Sequence, residues 1–335
     1  MILENASLKP FNTFGIDVNA RYFTRFDSVQ ALKQILKDFQ NIPLLVLGGG
    51  SNVLFSKHFD GLVVKNEIKG IACVEENDES VVLKSGAGEV WHDFVLHCID
   101  HGYAGVENLS LIPGSVGASP MQNIGAYGVE IKNVFEKLEA FEIATGEIHT
   151  FDNAACEFGY RESVFKRKLK GKYIITHVYF RLSKKINLNT TYGAIETELK
   201  SKGILNPNIK DVSDAVIAIR KSKLPDPAVI GNAGSFFKNP VVETAVFEKI
   251  KSEYPTVPSY PVSAGFVKMP AGWLIETAGW KGKTIDNYGV HKLQALVLVN
   301  YGGATGVQLF DLSTAILKDV FDKFGILLDR EVNII

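Results

Sequence analysis

Residues 112–128 read IPGSVGASPMQNIGAYG, and this stretch decides how the rest of the chain is interpreted. It contains four glycines, two prolines and two side-chain amides, and it carries no charged residue. Glycine and proline interrupt helices and strands, so the composition predicts an irregular loop. Successive backbone N–H groups in a glycine-rich turn can form a concave site for an anion. The stretch is therefore interpreted as a ligand-binding loop rather than a mere connector.

A second glycine-rich segment, LGGGSNVL at residues 47–54, follows the apolar run 43–47. Three consecutive glycines also make an ordinary tight turn after a buried strand, and for Gly48–Gly50 alone that alternative stays open. Two such loops with small hydroxyl and amide side chains suit a pyrophosphate and its attached sugars better than one isolated phosphate. Together the two segments predict a dinucleotide site.

Neither loop matches a familiar nucleotide signature. The chain has no GxxxxGK[ST] segment, which disfavours a P-loop kinase or ATPase. The nearest approach to GxGxxG is residues 86–91, where Trp91 replaces the third glycine. A Rossmann dinucleotide site is therefore disfavoured as well.

Composition narrows the class of protein. The 335 residues are enough for two or three domains, and 46% hydrophobic with 22% charged residues is ordinary for a globular enzyme. The net charge of −1 gives no reason to expect nucleic-acid binding. The three cysteines, Cys73, Cys98 and Cys156, show no disulfide or zinc spacing and are expected to be idle thiols.

Location is predicted from what the sequence lacks. Residues 1–5 are not a basic segment followed by an apolar run, so no signal peptide is expected. No apolar stretch approaches the ~20 residues that span a bilayer. A cytoplasmic protein without membrane insertion, acting as a monomer, is expected.

Local patterning predicts an α+β fold in three parts, 1–70, 71–218 and 219–325, with a C-terminal strand at about 326–335 that returns to the first part. Helices are predicted where apolar residues recur at helical spacing, with Ser28 as the first N-cap, over residues 28–39, 90–101, 212–221, 242–254, 271–278 and 305–324. Strands are predicted over residues 43–47, 61–65, 80–85, 138–143, 173–182, 294–300 and 327–335.

Three polar clusters are candidates for chemistry. Arg161, within YRES at 160–163, has the fork geometry that binds a carboxylate or phosphate, although a surface ion pair is the alternative. Ser235, within GNAGSFFKNP at 231–240, is a candidate hydrogen-bonding or proton-donating hydroxyl, or else a turn serine. Glu331 is a candidate acid or charge stabiliser in an apolar terminus, or else part of a solvated charge pair.

No metal site is expected. His97 and His101 stand four residues apart, but no third ligand is near them in the sequence, and they are interpreted as structural. The residues alone thus predict a cytoplasmic dinucleotide-binding enzyme with a polar, metal-free site, and they leave its substrate open.

Taken in order, these segments resemble the UDP-N-acetylenolpyruvoylglucosamine reductase (MurB) family, the flavoenzymes of peptidoglycan synthesis. The resemblance covers nearly the whole chain. Beyond the motifs quoted above, it rests on NTFG at 12–15, KLPDP at 223–227, AGWLIE at 271–276 and QALVLVN at 294–300. TTYGA at 190–194 resembles the branch of the family that clamps substrate with a tyrosine loop. Ser119 and Glu276 are small departures from the expected pattern.

The resemblance implies a vanillyl-alcohol-oxidase-type (PCMH-type) fold, with FAD in the first two parts and a C-terminal α+β substrate domain in the third. Because neither glycine loop contains His or Cys, the FAD is expected to be non-covalent. The implied FAD contacts are Gly48, Gly49, Gly50, Ser51, Asn52, Ile112, Pro113, Gly114, Ser115, Gly117, Ala118, Gln122, Asn123, Gly125 and Ala126.

The implied reaction is NADPH-dependent reduction of UDP-N-acetylglucosamine enolpyruvate to UDP-N-acetylmuramate, in cell wall biosynthesis. In the family, residues matching Arg161 and Glu331 stabilise the charge that develops on the substrate, and the residue matching Ser235 delivers a proton. The implied substrate contacts are Tyr127, Tyr160, Tyr192, Lys223, Asn239 and Gln294. Another flavin oxidoreductase of the same fold and a silent nucleotide-binding protein stay open as alternatives.

Overall fold

The chain alternates nineteen mostly short strands with eight α-helices and six 3-10 helices, and the computed structural model describes all residues 1–335. The strands are β1 (Leu3–Ser7), β2 (Asn19–Phe26), β3 (Leu44–Leu47), β4 (Val53–Leu54), β5 (Phe59–Asn66), β6 (Ile71–Glu76), β7 (Ser80–Gly86), β8 (Gly125–Ala126), β9 (Val129–Glu130), β10 (Phe135–Glu142), β11 (Ile148–Asp152), β12 (Tyr173–Ser183), β13 (Val241–Glu243), β14 (Tyr260–Ser263), β15 (Phe266–Lys268), β16 (Thr284–Ile285), β17 (Tyr288–Val290), β18 (Leu298–Asn300) and β19 (Asn333–Ile334).

The helices are α1 (Val29–Asp38), α2 (Trp91–Asp100), α3 (Asn153–Cys156), α4 (Gly193–Ser201), α5 (Ile209–Lys223), α6 (Thr244–Glu253), α7 (Ala271–Thr277) and α8 (Gly306–Phe324). All six predicted helices are therefore confirmed, and so is the predicted α+β class. Ser28 caps α1 as predicted, because its hydroxyl accepts the N–H of Ala31 at 3.2 Å. None of the helices is both long and apolar enough to cross a membrane.

Two predicted strands are much shorter than expected. Of residues 294–300, only Leu298–Asn300 pair as β18, because the carbonyl of Gln294 accepts the N–H of Val297 and closes a turn. Of residues 327–335, only Asn333–Ile334 form β19. At 242–254, the first two residues belong to β13 rather than to α6.

The structure divides into two units. Unit 1 comprises Met1–Ala6, Ala20–Gly49 and Asp60–Ser222. Unit 2 comprises Ser7–Asn19, Gly50–Phe59 and Lys223–Ile335. The three-part division based on the sequence stays a prediction beside this grouping.

Unit 1 holds a first sheet with strand order β1-β2-β5-β3, a second, antiparallel sheet with order β11-β10-β12-β7-β6, and the two-stranded sheet β8-β9. The core of the second sheet is built against α2, whose Trp91 and Phe94 contact Phe180 of β12. Trp91 is buried, and its indole N–H donates to the carbonyl of Leu109 at 2.9 Å. This packing fixes the position of the first residues of α2, and the glycine-rich loop at 112–128 is hydrogen-bonded to these residues and to those just before them.

Unit 2 is held together by short sheets and α8. Its sheets have the orders β13-β15-β14 and β16-β17-β18, and β4 pairs in parallel with β19. Thr305 and Gln308 form a capping box at the start of α8, and Gly325 ends the helix with a φ of +68°.

Candidate active site

The two glycine-rich segments meet within unit 1. A Cβ built on Gly49 would lie 2.8 Å from the Cα of Gly114, and one built on Gly48 would collide with the hydroxyl of Ser115. Only glycine permits this approach of two backbones. The structure therefore brings together two segments that the sequence places about sixty residues apart.

The 112–128 segment is anchored to the start of α2 by its backbone. Gly114 accepts the N–H of Trp91 at 3.0 Å, and Val116 and Gly117 donate to the carbonyls of Glu89 and Ala87 at 2.8 and 2.9 Å. Beyond these bonds the chain forms two 3-10 turns, over Val116–Ala118 and Pro120–Gln122. Hydrogen bonds within the protein thus fix the backbone of the loop.

The side chain of Asn123, a predicted FAD contact, makes hydrogen bonds that hold the loop in place. Its side chain is fully buried, and its amide donates to Glu130 and to the carbonyl of Gly159, both at 3.0 Å. Its Oδ1 accepts the N–H of Lys132 at 3.2 Å. These bonds hold the second half of the loop to the YRES segment, and the FAD contact stays a prediction.

Arg161 is aimed at the end of the glycine-rich loop. Its Nη2 donates to the carbonyl of Gly125 at 2.7 Å, and its guanidinium lies 5.4 Å from the centre of the Tyr160 ring. A Cβ on Gly125 would lie 3.2 Å from Nη1 of Arg161. The structure therefore places a fixed cation beside the loop, as a role in charge stabilisation requires.

Backbone strain is concentrated in this region. Eight residues other than glycine have positive φ, and five of them lie within residues 111–161. They include Leu111 at +59°, Tyr127 at +49° and Arg161 at +54°. Such conformations cost free energy in bulky residues and accumulate at functional sites, so they mark this region independently of the motifs.

Tyr127 and Tyr192, both predicted substrate contacts, lie together. Their ring centres are 5.3 Å apart in an edge-to-face arrangement. Asn108 joins their loops, because its amide donates to the carbonyls of Tyr127 at 3.0 Å and Asn189 at 2.8 Å. Tyr192 is exposed over 44% of its surface, whereas burial raises the pKa of the Tyr127 phenol.

Sequence reasoning missed Arg220, near the end of α5. Its Nε donates to the carbonyl of Leu111 at 3.2 Å. Burial lowers the pKa of Arg220 from its ordinary value. The signal was present in the pattern, because Arg220 stands four residues after the buried Val216 and so falls on the apolar stripe of α5.

His92, also missed, supports the same loop. Its Nδ1 accepts the N–H of Leu111 at 3.0 Å, so that nitrogen is unprotonated in the folded protein. Burial lowers the pKa of His92, and the charges of Arg220 and Lys221 lower it further. The neutral imidazole of His92 therefore helps to hold the backbone of Leu111 in place.

In unit 2, the Gly50–Asn52 part of the GGGSN loop lies against the NTFG motif. Gly50 accepts the N–H of Thr13 at 3.0 Å, and a side chain on Gly50 would collide with the carbonyl of Phe11. Asn12 is buried and bonds the backbone of Leu8 and Ile16. NTFG therefore acts as a support for the loop.

Ser235 and Glu331 lie on neighbouring antiparallel segments of unit 2. The N–H of Glu331 donates to the carbonyl of Phe236 at 2.8 Å, and Phe237 pairs with Arg330. On its other side, Ser235 pairs with Val297. The backbone thus brings these two predicted catalytic residues together, while Arg161 belongs to unit 1.

Asn52 also lies beside Glu331. Its amide donates to the carbonyl of Glu331 at 3.4 Å, and its own carbonyl accepts the N–H of Asn333 at 3.1 Å. These bonds extend the parallel pairing of β4 with β19. Residues Gly50–Asn52 and the C-terminal segment are therefore one local structure within unit 2.

The remaining predicted substrate contacts are distributed differently. Asn239 accepts the N–H of Ala271 at the start of α7 at 2.9 Å, and Gln294 accepts the N–H of Leu296 at 3.3 Å. Lys223 is exposed at the end of α5. None of these contacts tests the predicted substrate roles. No group of three or more His, Cys, Asp or Glu side chains is arranged to hold a metal ion.

Comparison with known proteins finds two family models. Residues 20–152 match the FAD binding domain model, and residues 226–335 match the model for the UDP-N-acetylenolpyruvoylglucosamine reductase C-terminal domain. Gly48, Gly49 and Gly117 permit close packing within unit 1, because a Cβ on Gly48 would collide with Ser115, and one on Gly49 or Gly117 would lie 2.8 or 2.6 Å from Gly114 or Ala87. The glycine-rich turns themselves fit such a cofactor, because successive backbone N–H groups in turns of this kind bind anions.

Curated relatives match over the full length. The chain is 52% identical over 335 residues to the UDP-N-acetylenolpyruvoylglucosamine reductase of Flavobacterium johnsoniae, covering 100% of this chain and 99% of that protein. It is 49% identical over 333 residues to the enzyme of the same name from Pseudomonas putida, covering 99% and 98% of the two proteins.

Among solved structures, the chain is similar to the UDP-N-acetylenolpyruvylglucosamine reductase of Thermus caldophilus. The TM-score is 0.68 at 22% identity, with 100% of this chain and 98% of that chain covered. The predicted FAD-binding fold with a separate C-terminal domain is thereby confirmed.

Proposed function

The chain belongs to the UDP-N-acetylenolpyruvoylglucosamine reductase family, and we propose that it reduces the enolpyruvyl ether of UDP-N-acetylglucosamine enolpyruvate. The product is the lactyl ether, UDP-N-acetylmuramate, a precursor of peptidoglycan. NADPH is the proposed electron source. The proposed enzyme acts as a monomer, in three functional parts bounded near residues 70 and 218, with residues 326–335 returning to the first part.

The placement of Arg161 carries this proposal. Its guanidinium is fixed on the carbonyl of Gly125, in the loop that packs on the first glycine-rich segment. A cation held beside a cofactor loop is what a reaction that builds negative charge on its substrate requires. The 52% identity over the full length supports assigning that substrate to this chain.

The cofactor in the proposal is non-covalent FAD, which when bound takes hydride from NADPH and passes it to the substrate. The residues proposed to hold it are in the two glycine-rich segments, 48–52 and 112–126. Backbone N–H groups there would bind its pyrophosphate, and the 3-10 turns after Val116 fix their directions.

The protein's own part in the chemistry is to stabilise charge and supply a proton. Addition of hydride to the terminal carbon of the enolpyruvyl group leaves negative charge on the neighbouring carbon and its carboxylate. We assign Arg161 and Glu331 to stabilising this enolate and Ser235 to protonating it. The Ser235 O–H bond breaks as the new C–H bond forms, and the hydroxyl is then restored from water.

Substrate binding is assigned to three tyrosines, one lysine and two amide side chains. Tyr127, Tyr160 and Tyr192 supply aromatic and hydroxyl contacts, and Lys223 supplies a charge for the diphosphate. Asn239 and Gln294 supply amides. Within this set, the edge-to-face pair of Tyr127 and Tyr192 supports the assignment of a tyrosine clamp.

Anaerobic stopped-flow absorbance at the oxidised-flavin band tests the proposal. NADPH is added to the FAD-loaded protein first, and UDP-N-acetylglucosamine enolpyruvate is added next. We expect bleaching by NADPH and recovery of the band on addition of substrate. Bleaching without recovery would remove this substrate, and turnover with oxygen but without NADPH would indicate an oxidase of the same fold. Parallel runs with NADH test the nucleotide preference.

A further inference from the structure

Unit 1 contains a cavity of about 580 Å³ that none of the proposed chemistry uses. It opens between the end of α1 and the turn that joins β10 to β11. Leu44, the first residue of β3, lines it, whereas the glycine-rich loop follows the other end of β3. At about 3.3 Å per strand residue, the two ends of β3 are separated by roughly 10 Å. No residue proposed to hold FAD or substrate lines the cavity.

The floor of the cavity is apolar, whereas its lining also includes the polar residues Gln40, Asn41 and Thr145. Leu62 and Phe141, at its floor, are buried in the core cluster of the first sheet. Leu36, Phe39 and Ile143 pack on that cluster but are only half-buried, because the cavity lies over them. A volume of this size is in the range of small-molecule sites, typically ~300–1,000 Å³.

The rim of the cavity is positively charged. Lys33 and Lys37 stand one helical turn apart on α1, both exposed, and no carboxylate lies within ion-pair distance of either. The nearby carboxylate of Asp38 instead accepts a hydrogen bond from Gln34 at 2.8 Å. None of the residues that line the cavity is Asp or Glu. A cleft with an apolar floor and two lysines at its mouth is complementary to a molecule with an apolar body and a negative end.

We propose that this cavity is a second binding site, which takes a small amphipathic anion: an apolar aryl or acyl body with one carboxylate, sulfonate or phosphate group. The body occupies the space above Leu62 and Phe141, and the acidic group lies between the ammonium groups of Lys33 and Lys37. This site is independent of the proposed reaction, so its test does not depend on turnover.

The test is calorimetric titration of the FAD-loaded full-length protein with 8-anilinonaphthalene-1-sulfonate. We expect one saturable equivalent in the wild-type protein. Reversing both charges in a Lys33→Glu, Lys37→Glu variant should weaken binding at least about tenfold, because attraction becomes repulsion at short range. Lys170→Glu, at an exposed lysine of the same unit away from the cavity, is the matched control and should bind like the wild type.

Two further measurements separate charge from shape. Ala144→Trp, at an exposed residue that lines the cavity, should fill it and abolish the saturable site. The uncharged analogue N-phenyl-1-naphthylamine should bind weakly, and its binding should not depend on the lysines. The proposal is overturned by an absence of saturable binding, by a lysine variant that binds like the control, by full binding in Ala144→Trp, or by equal binding of the uncharged analogue.

Discussion

Ser235 has a proposed role that is confined to one half of the reaction. Ser235→Ala is therefore expected to leave flavin reduction by NADPH nearly unchanged. Loss of the proton donor should slow substrate-driven recovery of the flavin band by about 10²–10⁴-fold. Rapid mixing of each half-reaction at the oxidised-flavin band measures both effects.

The matched control for Ser235 is Ser252→Ala, because Ser252 is an exposed serine of the same unit whose hydroxyl donates only to the carbonyl of Lys249. This variant should keep both half-reactions. An equal loss of both half-reactions in Ser235→Ala would show that Ser235 supports the fold or the cofactor, and the proton-donor assignment would be withdrawn.

The hydrogen bond between His92 and Leu111 is expected to make the free energy of unfolding depend on pH. Its pKa in the folded protein is held below the ordinary 6.5, chiefly by burial, and protonation would break its bond to the N–H of Leu111. Above about pH 6.5 its contribution to stability is fully present. As the pH falls through that value, the unfolded chain takes up a proton that the folded chain resists, and the contribution is lost.

His92→Asn keeps an acceptor for Leu111 without a titrating ring. The fall in the thermal unfolding midpoint between pH 7.5 and pH 5.5 should therefore be smaller in this variant than in the wild type. If His92→Asn has the same pH dependence as the wild type, His92 does not hold the loop by this bond.

Which residues of the site were predictable depends on whether their signal is local. Arg161 and Ser235 stand within short distinctive segments, so they could be named before the fold was known. Arg220 and Asn108 reach their partners across the tertiary structure, at separations of 109 and 81 residues. Periodicity along one segment carries no information about such partners.

At the level of elements, a substitution that adds one methyl group, Gly49→Ala, tests whether FAD binding needs the contact between the two glycine-rich segments. Gly49→Ala would place a Cβ 2.8 Å from the Cα of Gly114, and backbone on both sides leaves no flexible atom to move. We expect the loops to separate and FAD affinity to fall by about 10–100-fold, a loss of roughly 1.4–2.8 kcal/mol of binding free energy. Titration of the FAD-free protein with FAD measures the loss.

Gly193→Ala is the control for that substitution. Gly193 begins α4, and a Cβ there meets no atom within 4 Å. Alanine also has the higher helix propensity, so this variant should bind FAD normally and unfold no more easily than the wild type. Normal FAD affinity in Gly49→Ala would show that the cofactor does not depend on this contact.

The predicted helices were found because their determinants lie within about a turn of each other. Ser28 and Thr305 cap α1 and α8 from adjacent sequence, and the apolar stripes follow directly. The length of the strand predicted at 294–300 was too great. Residues 295–297 are as apolar as the strand itself, but they lie in the turn that the Gln294 carbonyl closes. Composition shows that a segment is buried but does not show where its pairing begins.

At the level of the whole molecule, unit 2 depends on three separate stretches of chain. The carbonyl of Phe14 accepts a hydrogen bond from Asn300 at 2.8 Å, and Gly231 packs against the same carbonyl. A fragment of residues 223–335 lacks Phe14 and β4, so it is expected to have no cooperative urea unfolding transition. Circular dichroism during urea titration measures this, with the full chain as the control. A cooperative transition in the fragment would show that the C-terminal stretch folds alone.

This grouping was outside the reach of local patterns. Sequence periodicity predicts elements one at a time, and it assigned residues 1–70 to one part. In the structure, Ser7–Asn19 and Gly50–Phe59 belong with Lys223–Ile335. The bonds that decide this, such as Asn300 to Phe14, join residues 286 positions apart.

The assembly of unit 2 from three stretches also has a consequence for the order of events during synthesis. Residues 7–19 and 50–59 leave the ribosome before their partners near residues 231, 300 and 333. At about 5–20 residues per second, translation separates the two events by on the order of tens of seconds. During that interval Phe14 and the strand edge of β4 lack their partners in the folded protein. A chain released from a ribosome that stalls within residues 60–330 therefore lacks Glu331 and leaves β4 without its parallel partner β19.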